Sequence, residues 1–162
     1  MTPVWPLFDL RLRTANLELR LPTQDEALAL TAEAPADLET DPSWPAVGER
    51  FSRLRTVDTS SWLVQELRGR GLGQEMRAAV LGLAFDHLGA DFAVSSAWAS
   101  NGSSLGVSFA LGYENNGWVL HEHHDRTDRM QRVVLGRDQW DSSRWPVSIE
   151  NLAPCLPWFA AT

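Results

Sequence analysis

The stretch from Glu66 to Met76, ELRGRGLGQEM, combines backbone freedom with positive charge at the predicted start of a helix. Glycines stand at positions 69, 71 and 73, and arginines at 68 and 70. A glycine-rich turn that leads from a strand into a helix presents several backbone N–H groups at the positive end of the helix dipole. The stretch therefore predicts a cradle for a phosphate or pyrophosphate, with a tight turn that holds no ligand as the open alternative.

Two named phosphate motifs do not fit the letters of this loop. A Walker A loop requires Lys followed by Ser or Thr after its last glycine, where Gln74 and Glu75 stand here. The dinucleotide fingerprint G-x-G-x-x-G also fails, because the three glycines are two positions apart. The anion that this loop accepts must be inferred from other parts of the chain.

Composition limits the classes of protein and partner. The chain has 162 residues, 44% of them apolar, which suits one domain spanning residues 1–162. Its 14 basic residues are all arginine, and 21 acids give a formal charge of −7, so we expect no nucleic-acid partner. No window resembles a signal peptide or a membrane span. Cys155 is the one cysteine, so no internal disulfide can form, and we expect a cytoplasmic protein without a membrane partner.

Hydrophobic periodicity predicts alternating strands and helices. Thr23 and Glu26 predict a capping box at the start of the first helix, and Gly89 is expected to end the long helix that begins at Leu72. Prolines make 35–60 irregular, with one strand near 60–64. The predicted strands are 16–22, 60–64, 92–98, 118–123 and 129–135, the last two joined by a turn at 124–128, and the predicted helices are 23–34, 72–88 and 103–111. The tail 141–162 is predicted to be irregular.

These motifs together resemble the GNAT N-acetyltransferase superfamily, and within it the branch of ribosomal-protein N-terminal acetyltransferases. That family binds acetyl-CoA through Arg/Gln-x-x-Gly-x-Gly/Ala, and the matching run is Arg68-Gly69-Arg70-Gly71-Leu72-Gly73, followed by Gln74. Asn101-x-x-Ser104 and Leu111-Gly112-Tyr113 match two further family motifs in order and separation. The resemblance covers about residues 10–34 and 54–140.

The resemblance implies an α/β fold with a mixed central sheet flanked by helices. Only 35–60 is available for the family's second helix and its β2-β3 hairpin, so these are expected to be truncated or missing. It also implies a splayed strand pair that takes the pantetheine arm as an added strand would. The residues implied in acetyl-CoA binding are Trp62, Leu63, Val64, Arg68, Gly69, Arg70, Gly71, Leu72, Gly73, Gln74, Asn101 and Ser104.

The implied reaction is direct attack of a primary amine, of a small molecule or of a peptide N-terminus, on the acetyl thioester. Asp58 and Glu66 are the candidate bases, and each has the alternative of a solvated surface acid. Ser108 stands where many family members have a tyrosine acid, and it is equally a small helix-packing residue. The alternative function is a GNAT-derived scaffold with changed or lost transfer, such as a specialised biosynthetic enzyme or a binding protein.

The run HEHHD at 121–125 places His121 and His123 on one face of a strand. A zinc site needs further ligands at suitable spacing, so we expect no metal. A shortened sheet would leave the first strand with an unpaired edge that must be covered. We therefore expect a homodimer in which 1–22 or the tail 145–162 crosses to the partner or refills the sheet edge.

Overall fold

The computed structural model describes residues 5–34, 49–123 and 125–159, which form strands in two sheets together with helices. In chain order the strands are β1 (Arg11–Arg13), β2 (Glu18–Leu19), β3 (Thr56–Asp58), β4 (Phe92–Trp98), β5 (Glu114–His123), β6 (Arg126–Gly136) and β7 (Ser148–Glu150). The helices are α1 (Gln24–Glu33), α2 (Glu49–Leu54), α3 (Leu72–Gly82) and α4 (Gly102–Ala110). The predicted α/β class is confirmed.

The smaller sheet has the order β2-β1-β7, so it joins segments that are far apart in sequence. Leu12 of β1 lies opposite Leu19 on one side and Ile149 on the other, and all three side chains are sheltered from solvent. Arg13 donates to Glu18 at 2.8 Å and also pairs with Glu150. Apolar contact on one face and ion pairing on the other therefore hold this sheet together.

Helix α1 begins as the sequence predicts. The Thr23 side chain accepts a hydrogen bond from the Glu26 backbone, and the Glu26 carboxylate accepts from the Thr23 N–H at 2.8 Å. The Arg20 guanidinium, followed by the Thr23 N–H, lowers the pKa of Glu26 to about 2. The capping box is confirmed, and Arg20 reinforces it.

The larger sheet has the order β3-β4-β6-β5. Strand β3 runs parallel to β4, whereas β4, β6 and β5 are antiparallel. The predicted strand 92–98 is confirmed at both ends. Strand β5 contains an irregularity between Asn115 and Trp118, where Gly117 has a φ of 80°. This sheet carries the parallel strand pair on which the site depends.

Helix α3 contacts β1 of the smaller sheet and helix α4, and it supplies much of the core. It continues as a wider π-helical turn, Leu83–His87, before Gly89 turns the chain with a φ of 68°. The long helix predicted from Leu72 to Gly89 is thus confirmed, as is the shorter one that Gly112 follows. The largest fully buried side chains are Leu81, Phe85, Val133, Leu135 and Cys155.

The strand predicted near 60–64 is wrong, because the strand lies earlier, at Thr56–Asp58. The pairing register starts at Thr56 opposite Phe92, and it ends where the Ser95 hydroxyl donates to the Thr59 carbonyl. The apolar run that suggested a strand is only half-buried, and Leu63 within it lies beside Gly73 of α3. Hydrophobicity here reflects packing against a helix and not pairing in a sheet.

Two further expectations about the second half of the chain are wrong. The turn predicted at 124–128 is tighter, since β6 already begins at Arg126 and Asp125 carries the positive φ of 60°. The tail predicted to be irregular contains β7 and a 3₁₀ segment, Ala153–Phe159. A three-residue strand is too short to show alternation, so its pairing with β1 leaves no periodic signal in the sequence.

The shortened front half is only partly covered by the structure. Residues 35–48 lie outside the described residues, and the rest of 35–60 includes helix α2 and strand β3, so 49–58 is not irregular as predicted. Within the described ranges β3 has β4 as its neighbour in the sheet. The first strand pairs inside its own chain, because the tail strand β7 fills one of its edges. Loss of the hairpin stays a prediction.

The core position of Leu135 gives a direct test of this packing. Leu135 has no exposed surface, whereas Leu120 on the neighbouring strand is 56% exposed. Leu135→Ala should lower the free energy of unfolding by about 2–5 kcal/mol, because it removes buried methyl groups and leaves a cavity. Leu120→Ala should change it by less than about 0.5 kcal/mol. Urea denaturation of both variants measures the difference, and equal effects would contradict the described core.

Candidate functional site

The parallel strands β3 and β4 separate at a fork whose apex is Thr59. The last backbone bond between them runs from the Thr59 N–H to the Val94 carbonyl at 3.0 Å. At the same point the Ser95 hydroxyl donates to the Thr59 carbonyl at 2.7 Å. Strand β4 continues beside β6 as far as Trp98, whereas residues 60–64, here called the fork segment, leave the sheet.

The backbone of the fork segment pairs with no strand of the described residues. Its Leu63 carbonyl accepts from Arg68 Nε at 3.0 Å, and its Val64 carbonyl accepts from the Leu67 N–H at 3.1 Å. No hydrogen bond among the described residues uses the N–H groups of Trp62, Leu63 and Val64. These donors are available to an extended ligand that lies along the segment.

A glycine turn follows the fork segment and leads into α3. Gly69 and Gly71 have φ values of 75° and 81°, in the left-handed region that favours glycine. Gly71 is the N-cap residue of α3, and within the described part of the chain no side chain caps this helix start. The N–H groups of Leu72 and Gly73 have no helical acceptor at this end. The turn thus has the donors and the dipole that hold an anion.

Arginines lie in and beside this turn, and a carboxylate follows it in the first turn of α3. Arg68 and Arg70 are exposed, and Arg68 also reaches the fork segment through its bond to Leu63. Glu75 in the first turn of α3 accepts from the Asn16 N–H at 2.7 Å and from Asn16 Nδ2 at 3.0 Å. Hydrogen bonds from Thr14 and then Asn16 lower the pKa of Glu75. Glu75 therefore fastens the β1-β2 turn to the start of α3.

A buried arginine of α3 reaches both α4 and the fork segment. Arg77 is 4% exposed, and its Nη1 donates to Ser108 Oγ at 2.6 Å while its Nη2 donates to Ser61 Oγ at 3.3 Å. Burial lowers the pKa of Arg77, and the charges of Tyr113 and Asp58 act in the opposite direction. The described residues provide no acceptor for its buried Nε. This cation is therefore held mainly by neutral hydroxyl groups.

Tyr113 adds a second polar group to the apex of the fork. Its hydroxyl lies 3.2 Å from Thr59 Oγ1 and is buried. Burial raises the pKa of Tyr113, while the Thr59 hydrogen bond and the Arg77 charge lower it. The aromatic position of the Leu-Gly-Tyr motif thus contacts the point where the strands part.

The predicted catalytic residues lie at different places around the fork. Asp58 is exposed at the end of β3, and its charge acts on both Arg77 and Tyr113. Glu66 is exposed in a 3₁₀ turn, Gln65–Leu67, just before the glycine turn. Asp58 is thus electrostatically coupled to the buried cluster.

Ser108 is buried and hydrogen-bonded on both sides. Besides accepting from Arg77, its hydroxyl donates to the Ser104 carbonyl at 3.3 Å. Asn101 caps α4 by accepting from the Ser104 N–H at 3.0 Å, and its own N–H donates to the Trp98 carbonyl. Asn101 and Ser104 therefore fix the start of α4 against the end of β4. Their predicted contact with a cofactor stays a prediction, as does a catalytic role for Ser108.

The histidine run lies at the far end of the larger sheet. The His123 ring stacks on Trp98 with 4.0 Å between ring centroids, and its Nδ1 lies 3.1 Å from Asp128 Oδ2. His121 meets the edge of Trp98, and its Nε2 is buried without a partner among the described residues. Across the described ranges, which omit residue 124, no three side chains are grouped as metal ligands.

Sequence reasoning missed the polar cluster of Arg77, Thr59, Ser61 and Ser95. One signal was present, because Arg77 lies four residues after Gly73 and four before Leu81, on the buried stripe of α3. An arginine in such a stripe indicates a partner inside the fold. The serines and threonine carried no comparable signal, since single hydroxyl residues near a strand end are common in surface loops.

The fold just described is similar to that of the GNAT acetyltransferases over about half of the chain. A crystal structure of a probable acetyltransferase aligns with a TM-score of 0.53 at 18% identity, covering 55% of this chain and 51% of that one. Spermidine N-acetyltransferase from Vibrio cholerae, solved with CoA and spermine, aligns at 0.51 and 14% identity, covering 54% and 53%. Ribosomal-protein-S5-alanine acetyltransferase from Vibrio fischeri aligns at 0.50 and 15% identity, covering 55% and 50%.

The similarity spans about half the length of each of these solved proteins. At these identities it concerns the fold, and no protein-family model matches the sequence. Over the described ranges, no helix has the length and apolar content needed to cross a membrane.

Because Tyr113 is the one tyrosine in the chain, its titration reports on the fork apex. In the folded protein its phenol should lose its proton above the ordinary value of 10.0. The neutral, buried phenol then makes its full contribution to the free energy of unfolding below pH 10.0, and this contribution is lost as the pH rises through the raised pKa. Thr59→Val should raise the pKa further, because it removes a stabilising hydrogen bond to the phenolate. Near-ultraviolet absorbance measures the titration, and an unshifted folded value would contradict a buried apex.

Proposed function

We propose that this protein transfers an acetyl group from acetyl-CoA to a primary amine. One observation carries the proposal: the fork between β3 and β4 opens beside the glycine-capped start of α3. A ligand with an extended arm and a pyrophosphate needs both features, with the arm along free strand donors and the anion at a helix start. The similarity of fold to acetyltransferases supports the same conclusion.

The glycine turn fits the pyrophosphate of CoA. A Cβ placed on Gly69 or Gly71 would meet no atom within 4 Å, so both residues face open space. The N–H groups at the helix start would bind the phosphate oxygens, and Arg68 and Arg70 would add charge-assisted hydrogen bonds. Gln74, in the first turn of α3, belongs to this proposed site.

The fork segment fits the pantetheine arm. The unused N–H groups of Trp62, Leu63 and Val64 would donate to the amide carbonyls of an extended chain. Asn101 and Ser104 hold the start of α4 at the other side of the fork, next to the end of β4. We propose that they keep this side of the cleft in place, with or without direct contact with the cofactor.

Bound acetyl-CoA supplies a thioester whose carbonyl carbon is attacked by the acceptor amine. An amine that arrives protonated must first lose a proton, so the site needs a base near the fork. Asp58 is the proposed base, because it ends β3 at the fork and its charge acts on the buried cluster. Glu66 is the second candidate, since it lies at the other end of the fork segment.

The acceptor is proposed to be a small amine or a peptide N-terminus. The formal charge of −7 favours the approach of a cationic molecule. Two proteins of similar fold are a spermidine N-acetyltransferase solved with spermine and a ribosomal-protein alanine acetyltransferase. Polyamines and alanine-initiated peptides are therefore the acceptors to test first.

A scaffold that binds CoA without transferring acetyl groups is the second candidate. Ser108 directs its one proton toward the Ser104 carbonyl and accepts from Arg77, so its hydroxyl is already engaged. The chain has one tyrosine, Tyr113, and its hydroxyl lies against Thr59 at the apex. This arrangement favours a site without a side-chain acid for the departing thiolate.

We also propose a cytoplasmic location and a homodimer. The single cysteine, Cys155, is buried and suits a reducing compartment. Because β7 fills one edge of β1 within the chain, the dimer does not need an exchanged tail. Trp118 and Leu120 are 51% and 56% exposed on β5, at the edge of the larger sheet, and they offer apolar surface to a second copy.

The first test of this function concerns the glycine turn. Gly71→Val should weaken CoA binding by at least about tenfold, because a β-branched residue strains the left-handed turn and covers the anion donors. Gly117→Val is the matched control, since Gly117 also has a positive φ, 80°, and open space around its Cβ. Isothermal titration with CoA compares the two variants. Equal affinities for CoA would contradict the assignment of the turn.

The second test measures the reaction. Incubation with acetyl-CoA and an amine panel should release CoA thiol only when an acceptor is present, and buried Cys155 adds little background. Asp58→Asn should lower kcat about 10²-fold or more, because it removes the proposed base, and Glu66→Gln is the control. A loss of kcat in Glu66→Gln alone would transfer the role to the second candidate. CoA binding without amine-dependent thiol release would favour the scaffold, and mass spectrometry of the amine identifies the product.

A further inference from the structure

Arg77 connects the fork segment with α4, the helix that follows β4 in the chain. Its guanidinium reaches Ser61, two residues past the apex on the fork segment, and Ser108 on α4. Both bonds come from one planar group fixed on α3, at donor–acceptor distances of 2.6 and 3.3 Å. One side chain therefore bonds both the fork segment and α4.

Stability alone does not explain this arginine. A buried guanidinium bound mainly to hydroxyl groups is costly to desolvate, and an apolar side chain at such a position is often neutral or stabilising. Arg77 also leaves its buried Nε without an acceptor among the described residues. Arg77 does provide geometry, because its planar guanidinium directs two Nη donors at fixed angles to two acceptors.

We propose that Arg77 is a positioning residue that ties Ser61 to Ser108 and thereby holds the fork open for the pantetheine arm of CoA. This inference rests on the proposed function, because it takes CoA as the ligand. In the proposed function the pyrophosphate would bind at the glycine turn, away from Ser61 and Ser108, so the nucleotide end of CoA should bind independently of Arg77. The pantetheine end should bind well only when the fork is held in place in advance.

The experiment compares two ligands that differ by the arm. Isothermal titration of the full chain uses CoA and 3′-phosphoadenosine 5′-diphosphate, which keeps the pyrophosphate and lacks pantetheine. Arg77→Met should weaken CoA binding about tenfold or more and change binding of this nucleotide by less than about twofold. Arg77→Lys should weaken CoA binding as much as Arg77→Met does, because an ammonium group lacks the planar pair of donors. Arg144→Met, at an exposed arginine on a 3₁₀ turn, is the matched control and should leave both affinities unchanged.

The outcomes separate this inference from the proposed function. A wild-type chain that binds neither ligand overturns the proposed function and this inference with it. A wild-type chain that prefers CoA, together with an Arg77→Met variant that keeps the preference, overturns the inference alone. Equal losses for both ligands in folded Arg77→Met would also overturn it, because a general structural role gives that result.

A second variant covers the case in which Arg77→Met fails to fold. Ser61→Ala combined with Ser108→Ala removes both acceptors and leaves the arginine in place. This variant should lose affinity for CoA and keep affinity for 3′-phosphoadenosine 5′-diphosphate, and its KM for acetyl-CoA should rise while its KM for the amine stays constant. If CoA affinity is unchanged in the double variant, Arg77 does not act through the two serines and the proposal fails.

Discussion

The separation of β3 from β4 at Thr59 is the constraint on which the rest of the site depends. Two bonds mark the point, one from the Thr59 N–H to the Val94 carbonyl and one from the Ser95 hydroxyl to the Thr59 carbonyl. Because the second bond gives the Thr59 carbonyl a side-chain donor, the pairing register ends there. Everything that faces the cleft, from the backbone of the fork segment to the start of α3, takes its position from this break.

The two halves of the candidate site are stabilised in different ways. The glycine turn needs left-handed backbone and an uncapped helix start, which are local properties of the chain. The fork needs polar groups buried between elements distant in sequence, such as Arg77 on α3 and Ser108 on α4. Burial raises the cost of each unsatisfied polar group there, so these contacts tolerate little displacement. The turn therefore depends on local backbone geometry, whereas the fork depends on contacts between elements that are distant in sequence.

The sequence predicts the elements that depend on local properties of the chain better than those that depend on contacts between distant segments. Helices α1, α3 and α4 were predicted from capping residues, glycines and spacing, because those signals are local. The sequence does not predict strand β7 or the position of β3. Both strands are three residues long, and their pairing depends on partners far along the chain. In the site, the glycine turn was visible in the letters, but Thr59, Ser95 and Arg77 gain their roles only from contacts across the fold.

The pairing of β1 with β7 has a consequence for how the protein is made. Arg13 and Glu150, which bond across these strands, are separated by 137 positions in the chain. During synthesis the first strand leaves the ribosome long before its partner exists, so the smaller sheet closes only after most of the core has formed. Until then the edge of β1 that β7 later covers is exposed to other chains.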